Sequence, residues 1–116
     1  MKDVNGKIQY NNKEYNLVFN LNVMESIQAE YGSLDAWGKL TDGSTNGEPD
    51  AKAVKFGFCE MLNEGIDIEN EKTGGNEPML TMRQVGRMLT EIGMQNATMV
   101  MNQTVIESTQ GDSKNE

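Results

Sequence analysis

The stretch Lys7-Ile8-Gln9-Tyr10-Asn11-Asn12-Lys13-Glu14-Tyr15-Asn16-Leu17-Val18-Phe19-Asn20-Leu21-Asn22-Val23-Met24-Glu25-Ser26-Ile27-Gln28-Ala29-Glu30-Tyr31-Gly32 decides how this chain folds. Ile8 and Tyr10, then Tyr15, Leu17, Phe19 and Leu21, alternate with polar or smaller residues, which is the period of a half-buried strand. Asn11 and Asn12 separate the two runs, and asparagine tolerates the positive φ of a tight hairpin turn. At Asn22 the period changes. Met24, Ile27 and Tyr31 recur at helical spacing, with Asn22 as the expected N-cap, Glu25 three residues on, and Gly32 as the stop. A hairpin feeding an amphipathic helix is the frame on which the remaining segments pack.

Outward from this frame the chain reads as helices. Ser33 caps a short helix with Leu34, Trp37 and Leu40 near one face, and the single tryptophan is expected as a core anchor over the hairpin. Thr41 to Pro49 is nearly all turn formers and reads as a mobile insertion. Asp50 caps the next helix, whose stripe of Ala51, Val54, Phe58, Met61 and Leu62 runs to Gly65. Phe56 lies off that stripe, so this helix is either buried on two sides or offers an aromatic to a partner. Gly57, inside the helix, costs stability, and close approach of a neighbouring element would account for it. Ile66 to Met79 reads as irregular and acidic. Thr81 and Gln84 form a capping box with Leu80 and Val85 as hydrophobic staple, and Val85, Met88, Leu89 and Ile92 repeat at helical spacing up to Gly93. A last helix runs from Met94 to about Glu107, with Met94, Ala97, Met101 and Val105 on one face. The expected fold class is therefore α+β: an N-terminal two-stranded β-hairpin packed on a bundle of four to five α-helices. Residues 1–107 form one domain, and 108–116 read as a disordered polar tail. The expected core is Leu17, Phe19, Met24, Ile27, Trp37, Val54, Phe58, Leu62, Val85, Leu89 and Ile92.

Composition narrows the function classes. In 116 residues there are 10 basic and 18 acidic side chains, a formal net charge of −8, with the lysines and arginines scattered. Nucleic-acid and anionic-membrane binding are disfavoured. No apolar run approaches the roughly 20 residues that span a bilayer, and the first residues lack the apolar core of a signal peptide. One cysteine, Cys59, cannot form an internal disulfide; it fits a reducing cytoplasm and reads as a small buried hydrophobe. The absence of histidine removes the commonest general base, the commonest zinc ligand and every Ser-His or Cys-His pairing. Asp67, Glu69 and Glu71 alternate like a calcium loop, yet no glycine stands sixth and Pro78 stands where a bidentate carboxylate is needed. Gly43-Ser44-Thr45-Asn46-Gly47 lacks the Gly-Lys-Ser/Thr ending of a P-loop. The expectation is a protein that is not an enzyme, with no cofactor and no metal.

What remains is methionine. Nine in this length is high, and Met79, Met82, Met88, Met94, Met99 and Met101 gather in the last third. Met88 and Met101 suit a core filler, whereas Met99, outside the main stripe, suits an adaptable binding face. The candidate partner-binding residues are Phe56, Met94, Met99 and Met101.

The order of elements resembles the tail assembly chaperone family of long-tailed phages and prophages. The resembling residues are Lys13-Glu14-Tyr15-Asn16-Leu17-Val18-Phe19, then Asn22-Val23-Met24-Glu25-Ser26-Ile27 and Tyr31-Gly32-Ser33-Leu34, and later Leu80-Thr81-Met82-Arg83-Gln84-Val85-Gly86 before the terminal helix. The likeness extends over about residues 5–107, with 41–49 and 69–78 as the places of departure. It implies a non-enzymatic role in the cytoplasm of a bacterial host. Several copies would coat the long helical tape-measure protein until tail-tube subunits displace them, with self-association and a frameshifted longer form as further implications. A polar tail suits the short form. The alternative reading is a structural minor tail or connector component of the virion. A small enzyme or metal-binding regulator would need a polar constellation that the sequence does not display.

Overall fold

Asn11 and Asn12 both take positive φ, 52° and 63°, as a two-residue hairpin loop requires. They join β1 (Asn5–Tyr10) to β2 (Lys13–Val18) in an antiparallel pair that sets Ile8 opposite Tyr15 and Gly6 opposite Leu17. The computed structural model describes residues 5–114, and after the hairpin come α1 (Leu21–Tyr31), α2 (Leu34–Thr41), α3 (Ala51–Thr73), α4 (Met82–Ile92) and α5 (Met94–Lys114). The fold is the expected two-stranded hairpin on a five-helix bundle.

The hairpin is gripped between two helices. A Cβ at Gly65 of α3 would lie 2.6 Å from the Asn16 carbonyl oxygen, and one at Gly6 of β1 would meet the Thr104 hydroxyl of α5 at 2.2 Å. Glycine at 65 lets helix backbone approach strand backbone, and glycine at 6 admits the Thr104 side chain against the strand. Because α3 covers β2 while α5 covers β1, Leu17, Val18 and Phe19 are all buried, although successive strand residues point to opposite faces.

Several expectations change in detail. Leu21 does not continue the strand: it opens α1 and is 68 % exposed. The N-cap is Asn20 and not Asn22, its Oδ1 accepting from the Val23 amide at 3.2 Å. The period therefore switches two residues earlier, and the buried pair is Val23 and Ile27 with Met24 at the margin. Asn20 and Asn22 instead both donate through Nδ2 to Glu64 of α3, at 2.7 and 3.1 Å. Trp37 is fully buried, but against α3: its Nε1 donates to the Ala53 carbonyl at 2.9 Å and its ring lies over Gly57. A Cβ at Gly57 would sit 2.3 Å from that ring, so the close approach that its composition suggested is real. The turn-rich segment after α2 folds back on it, with Thr45 and Asp50 amides donating to the Lys39 and Leu40 carbonyls.

The largest correction concerns α3. It does not stop at Gly65, which is a clearance site within the helix, and it continues to Thr73 with Gly74 as left-handed cap. The irregular segment shrinks to residues 74–81, and that segment is held by two asparagines. Asn63 donates to the Leu80 carbonyl (3.0 Å) and accepts the Leu80 amide (2.8 Å); Asn70 does the same with both backbone groups of Glu77 (3.0 Å each). The geometry explains the pairing. Seven helical residues rise about 10.5 Å, and three extended residues span about 10 Å, so the two side chains match the two backbone sites.

Thr81 and Gln84 form the expected capping box of α4, with bonds of 2.8 and 3.1 Å, and Gly93 ends it. Helix α5 then runs beyond Glu107 to Lys114, where a disordered tail was expected from residue 108. Its buried face is Ala97, Met101, Thr104 and Ser108, not the expected Met94–Ala97–Met101–Val105. Thr104 can be buried because its hydroxyl donates to the Val100 carbonyl, and a small side chain suits the approach of β1. Of the expected core, Met24 and Ile92 are only partly buried; the other nine are in the interior.

Candidate functional site: an open groove between α2 and α5

The four candidate contact residues do not converge. Met101 is wholly buried, so it is a core residue and presents nothing to a partner. Phe56 is half-buried in an edge-to-face contact with Tyr31, ring centroids 5.6 Å apart at 74°. Met94 is half-buried where the start of α3 meets the end of α4, and it lines two shallow depressions there of about 560 and 470 Å³. Met99 is 63 % exposed. Five helical residues separate it from Met94, so the two point about 140° apart.

A different feature lies on another part of the surface. Between α2 and α5 lies an open groove of about 760 Å³ whose apolar walls are Leu34, Val105 and Ile106, with Gly38 in its floor and the buried Trp37 behind it. Asp35, Lys39, Asp42 and Ser44 stand along its rim. Lys39 is engaged by Asp35 at 3.2 Å, one helical turn away. Asp42 is held below the ordinary carboxylate range, chiefly by the Ser44 hydroxyl and then by the Ser44 amide, which donates to it at 2.8 Å. The rim therefore carries an ionised carboxylate at neutral pH. No atom outside its own helical turn lies within 4 Å of where a Gly38 Cβ would be. Packing does not demand glycine at this position, and a side chain there would enter the groove.

Sequence reading missed the groove because it exists only where α2 and α5 are juxtaposed. Two signals point toward it. Gly38 is a glycine inside a short helix with no packing reason. In addition, residues 92–106 contain no Asp, Glu, Lys or Arg, although about one residue in four of the chain is charged.

Chemistry of other kinds finds little footing. Among the described residues no three His, Cys, Asp or Glu side chains are grouped to hold a metal, and no helix is long and apolar enough to cross a membrane. Asp67, Glu69 and Glu71 lie on the last turns of α3 and not in a loop, all exposed. Cys59 is buried against the Leu80 carbonyl, and burial, followed by the nearby Glu60 charge, pushes its thiol up from its ordinary value, away from the reactive thiolate. Compared with known protein families, with characterised proteins and with solved structures, the chain matches none.

Proposed function

We propose that this protein is a non-enzymatic holdase of the tail-assembly-chaperone kind. It would bind a tape-measure protein in the cytoplasm of a bacterial host and keep it soluble until tail-tube subunits take over. The observation that carries the reading is the apolar α2–α5 groove on an otherwise acidic molecule. An amphipathic helix laid in such a groove anchors by apolar side chains at helical spacing. Gly38 leaves room for one of these anchors, and Leu34, Val105 and Ile106 flank it. The net charge of −8 keeps the loaded complex dispersed and favours helices with basic flanks. The hairpin-then-helices order adds support from the resemblance.

The test is co-expression with the long helical tape-measure candidate encoded nearby, read by co-purification and light-scattering mass. A soluble complex with several copies per partner is expected, the partner being insoluble alone. Gly38→Phe, whose Cβ would meet no neighbouring element within 4 Å and whose ring would enter the groove, is expected to lower the yield of complex at least tenfold. No complex, together with this protein in finished particles, would overturn the holdase reading in favour of a structural tail component.

A further inference from the structure

We infer that the outer face of α4, with Lys55 of α3 beside it, is a docking surface for an acidic amphipathic helix of another protein. The inference does not rest on the chaperone reading, and the surface shares no residue with the α2–α5 groove. Arg83, Gly86, Arg87 and Thr90 follow one another at intervals of three, one and three residues, so they share one face of α4. Both arginines of the chain stand there, exposed and one helical turn apart. Gly86 is a glycine inside a helix, and its neighbour explains it. A Cβ at this position would lie 3.3 Å from Cδ and 3.7 Å from Nζ of Lys55. The missing side chain lets the Lys55 stem cross α4 and sets its ammonium on the arginine face.

Charge identifies the occupant. Lys7, Lys13, Lys39 and Lys52 each pair with a carboxylate, whereas among the described residues no carboxylate lies within ion-pair distance of Lys55, Arg83 or Arg87. Glu91, one turn beyond Arg87, engages the Tyr10 hydroxyl instead. Three like charges are thus held together without a counter-charge, in a chain that has 18 acidic residues to offer. Two guanidinium groups suit bidentate recognition of carboxylates. Beside them lies a depression of about 470 Å³ with Ala51, Leu89 and Met94 as its apolar lining, which the backbone of a nucleic acid would leave empty. A second copy of this chain would bring a net charge of −8 to a site that offers three positive charges. A short segment with two carboxylates brings only what the site neutralises.

Helix geometry sets the pattern to be recognised. Arg83 and Arg87 stand about 6 Å apart along α4, and so do two carboxylates four residues apart on a partner helix. Three further residues, about 4.5 Å, bring the partner's next side chain on that face to the level of Thr90, which edges the apolar depression. The fitting segment is therefore a helix parallel to α4, with acidic residues at i and i+4 and an apolar residue at i+7.

The test titrates the isotope-labelled full chain with a helical peptide of about 15 residues, built of alanine and glutamine with Glu at i and i+4 and Leu at i+7. The amides of Lys55 and of residues 83–90 should shift, with a Kd on the order of 100 µM in about 50 mM salt. Binding should weaken at least fivefold in about 0.5 M NaCl. Arg83→Gln with Arg87→Gln should weaken it at least tenfold at an unchanged Tm, since both side chains are exposed. Lys7→Gln with Lys72→Gln removes the same charge elsewhere on the surface and should leave binding within about twofold of the parent. Gly86→Ala displaces the Lys55 stem, so it should weaken binding about threefold while raising the Tm, as helix propensity requires. No shift at about 1 mM peptide, or equal losses in the two double variants, overturns the proposal. So does a single-stranded oligonucleotide that displaces the peptide at a lower concentration than the peptide needs to bind. A light-scattering mass above 12.9 kDa that falls back to it in the arginine variant would assign the surface to a second copy and overturns it as well. Gly38→Phe should leave peptide binding intact while the arginine variant leaves tape-measure binding intact, so failure of one reading is separable from failure of the other.

Discussion

Glycines inside helices of this protein carry opposite meanings, and the difference is measurable. At Gly57 a methyl group would fall 2.3 Å from the Trp37 ring, which is itself fixed by its Nε1 bond to Ala53. Alanine there gains about 1 kcal/mol of helix propensity. It also overpacks a closed interior, a loss of about 1–3 kcal/mol, and it disturbs a buried hydrogen bond worth about 1 kcal/mol. The expected net loss for Gly57→Ala is about 2 kcal/mol in urea unfolding. At Gly38 only the propensity term acts, so Gly38→Ala should stabilise by up to about 1 kcal/mol. If both substitutions behave alike, the packing argument at Gly57 is wrong. The misfit of Gly57 was legible in the sequence because glycine after Phe56 breaks an otherwise strong helix. Gly65 was misread, since a glycine that ends an apolar stripe looks the same whether it caps the helix or admits a crossing strand. Met99 was legible as surface because it falls off the stripe. Met101 belonged with the interior, one turn beyond Ala97 on the face that meets the hairpin.

At the scale of elements, the local hydrogen bonds were readable and the tertiary ones were not. Ser33, Asp50 and Thr81 cap their helices as expected, each bonding the amide three residues on, because such a bond needs no partner outside its own turn. Helix α3 exceeds its expected end by two turns, and Asn63 and Asn70 gave no warning of their role. Their partners lie far along the chain, in the segment 74–81. These asparagines act as the strand that this segment lacks, each satisfying one amide and one carbonyl. Asn63 is half-buried and Asn70 works at the exposed end, which orders the expected effects. Asn63→Ala leaves the Leu80 amide without its partner and the Leu80 carbonyl with only the weak Cys59 thiol donor at a part-buried site, and should cost about 1–3 kcal/mol. Asn70→Ala exposes its partners to water and should cost under about 1 kcal/mol. Hydrogen exchange at the Leu80 amide should quicken in the first variant, and at Glu77 only in the second. Equal costs would mean that the two clamps are not graded by burial. The α2–α5 groove was hidden for the same reason as the clamps: each wall is an ordinary helix, and only the packing of α5 on β1 brings them side by side.

At the scale of the whole molecule, charge is the term that packing leaves uncompensated. Among the described residues the ion pairs Lys7–Glu14, Lys13–Glu77, Lys39–Asp35 and Lys52–Glu30 are all exposed, and pairs of that kind contribute little. Eighteen carboxylates against ten cations therefore repel with little local relief. Raising the pH should make this worse through three groups whose protons the fold retains. Burial, then the charge of Glu60, raises Cys59, against the hydrogen bond from Asn63. Burial, then Asp50 and Glu30, raises Tyr31, whose hydroxyl is buried with no partner among the described residues. A hydrogen bond to Glu91, with lesser burial, raises Tyr10. A group whose folded pKa exceeds its unfolded one contributes fully below the unfolded value and loses that contribution as pH rises through the folded one. The unfolded values are about 8.5 for cysteine and about 10 for tyrosine. The Tm should consequently be level near pH 7–8, begin to fall near pH 9, and fall more steeply above pH 10. Adding about 0.5 M NaCl should raise the whole curve by screening the excess carboxylates. Tyr31→Phe should flatten the limb above pH 10 without lowering the Tm at pH 7, because it removes a buried hydroxyl that has no bond to lose. A Tm that climbs between pH 8 and 10, or a Tyr31→Phe curve parallel to the parent above pH 10, would show that these protons are not held by the fold.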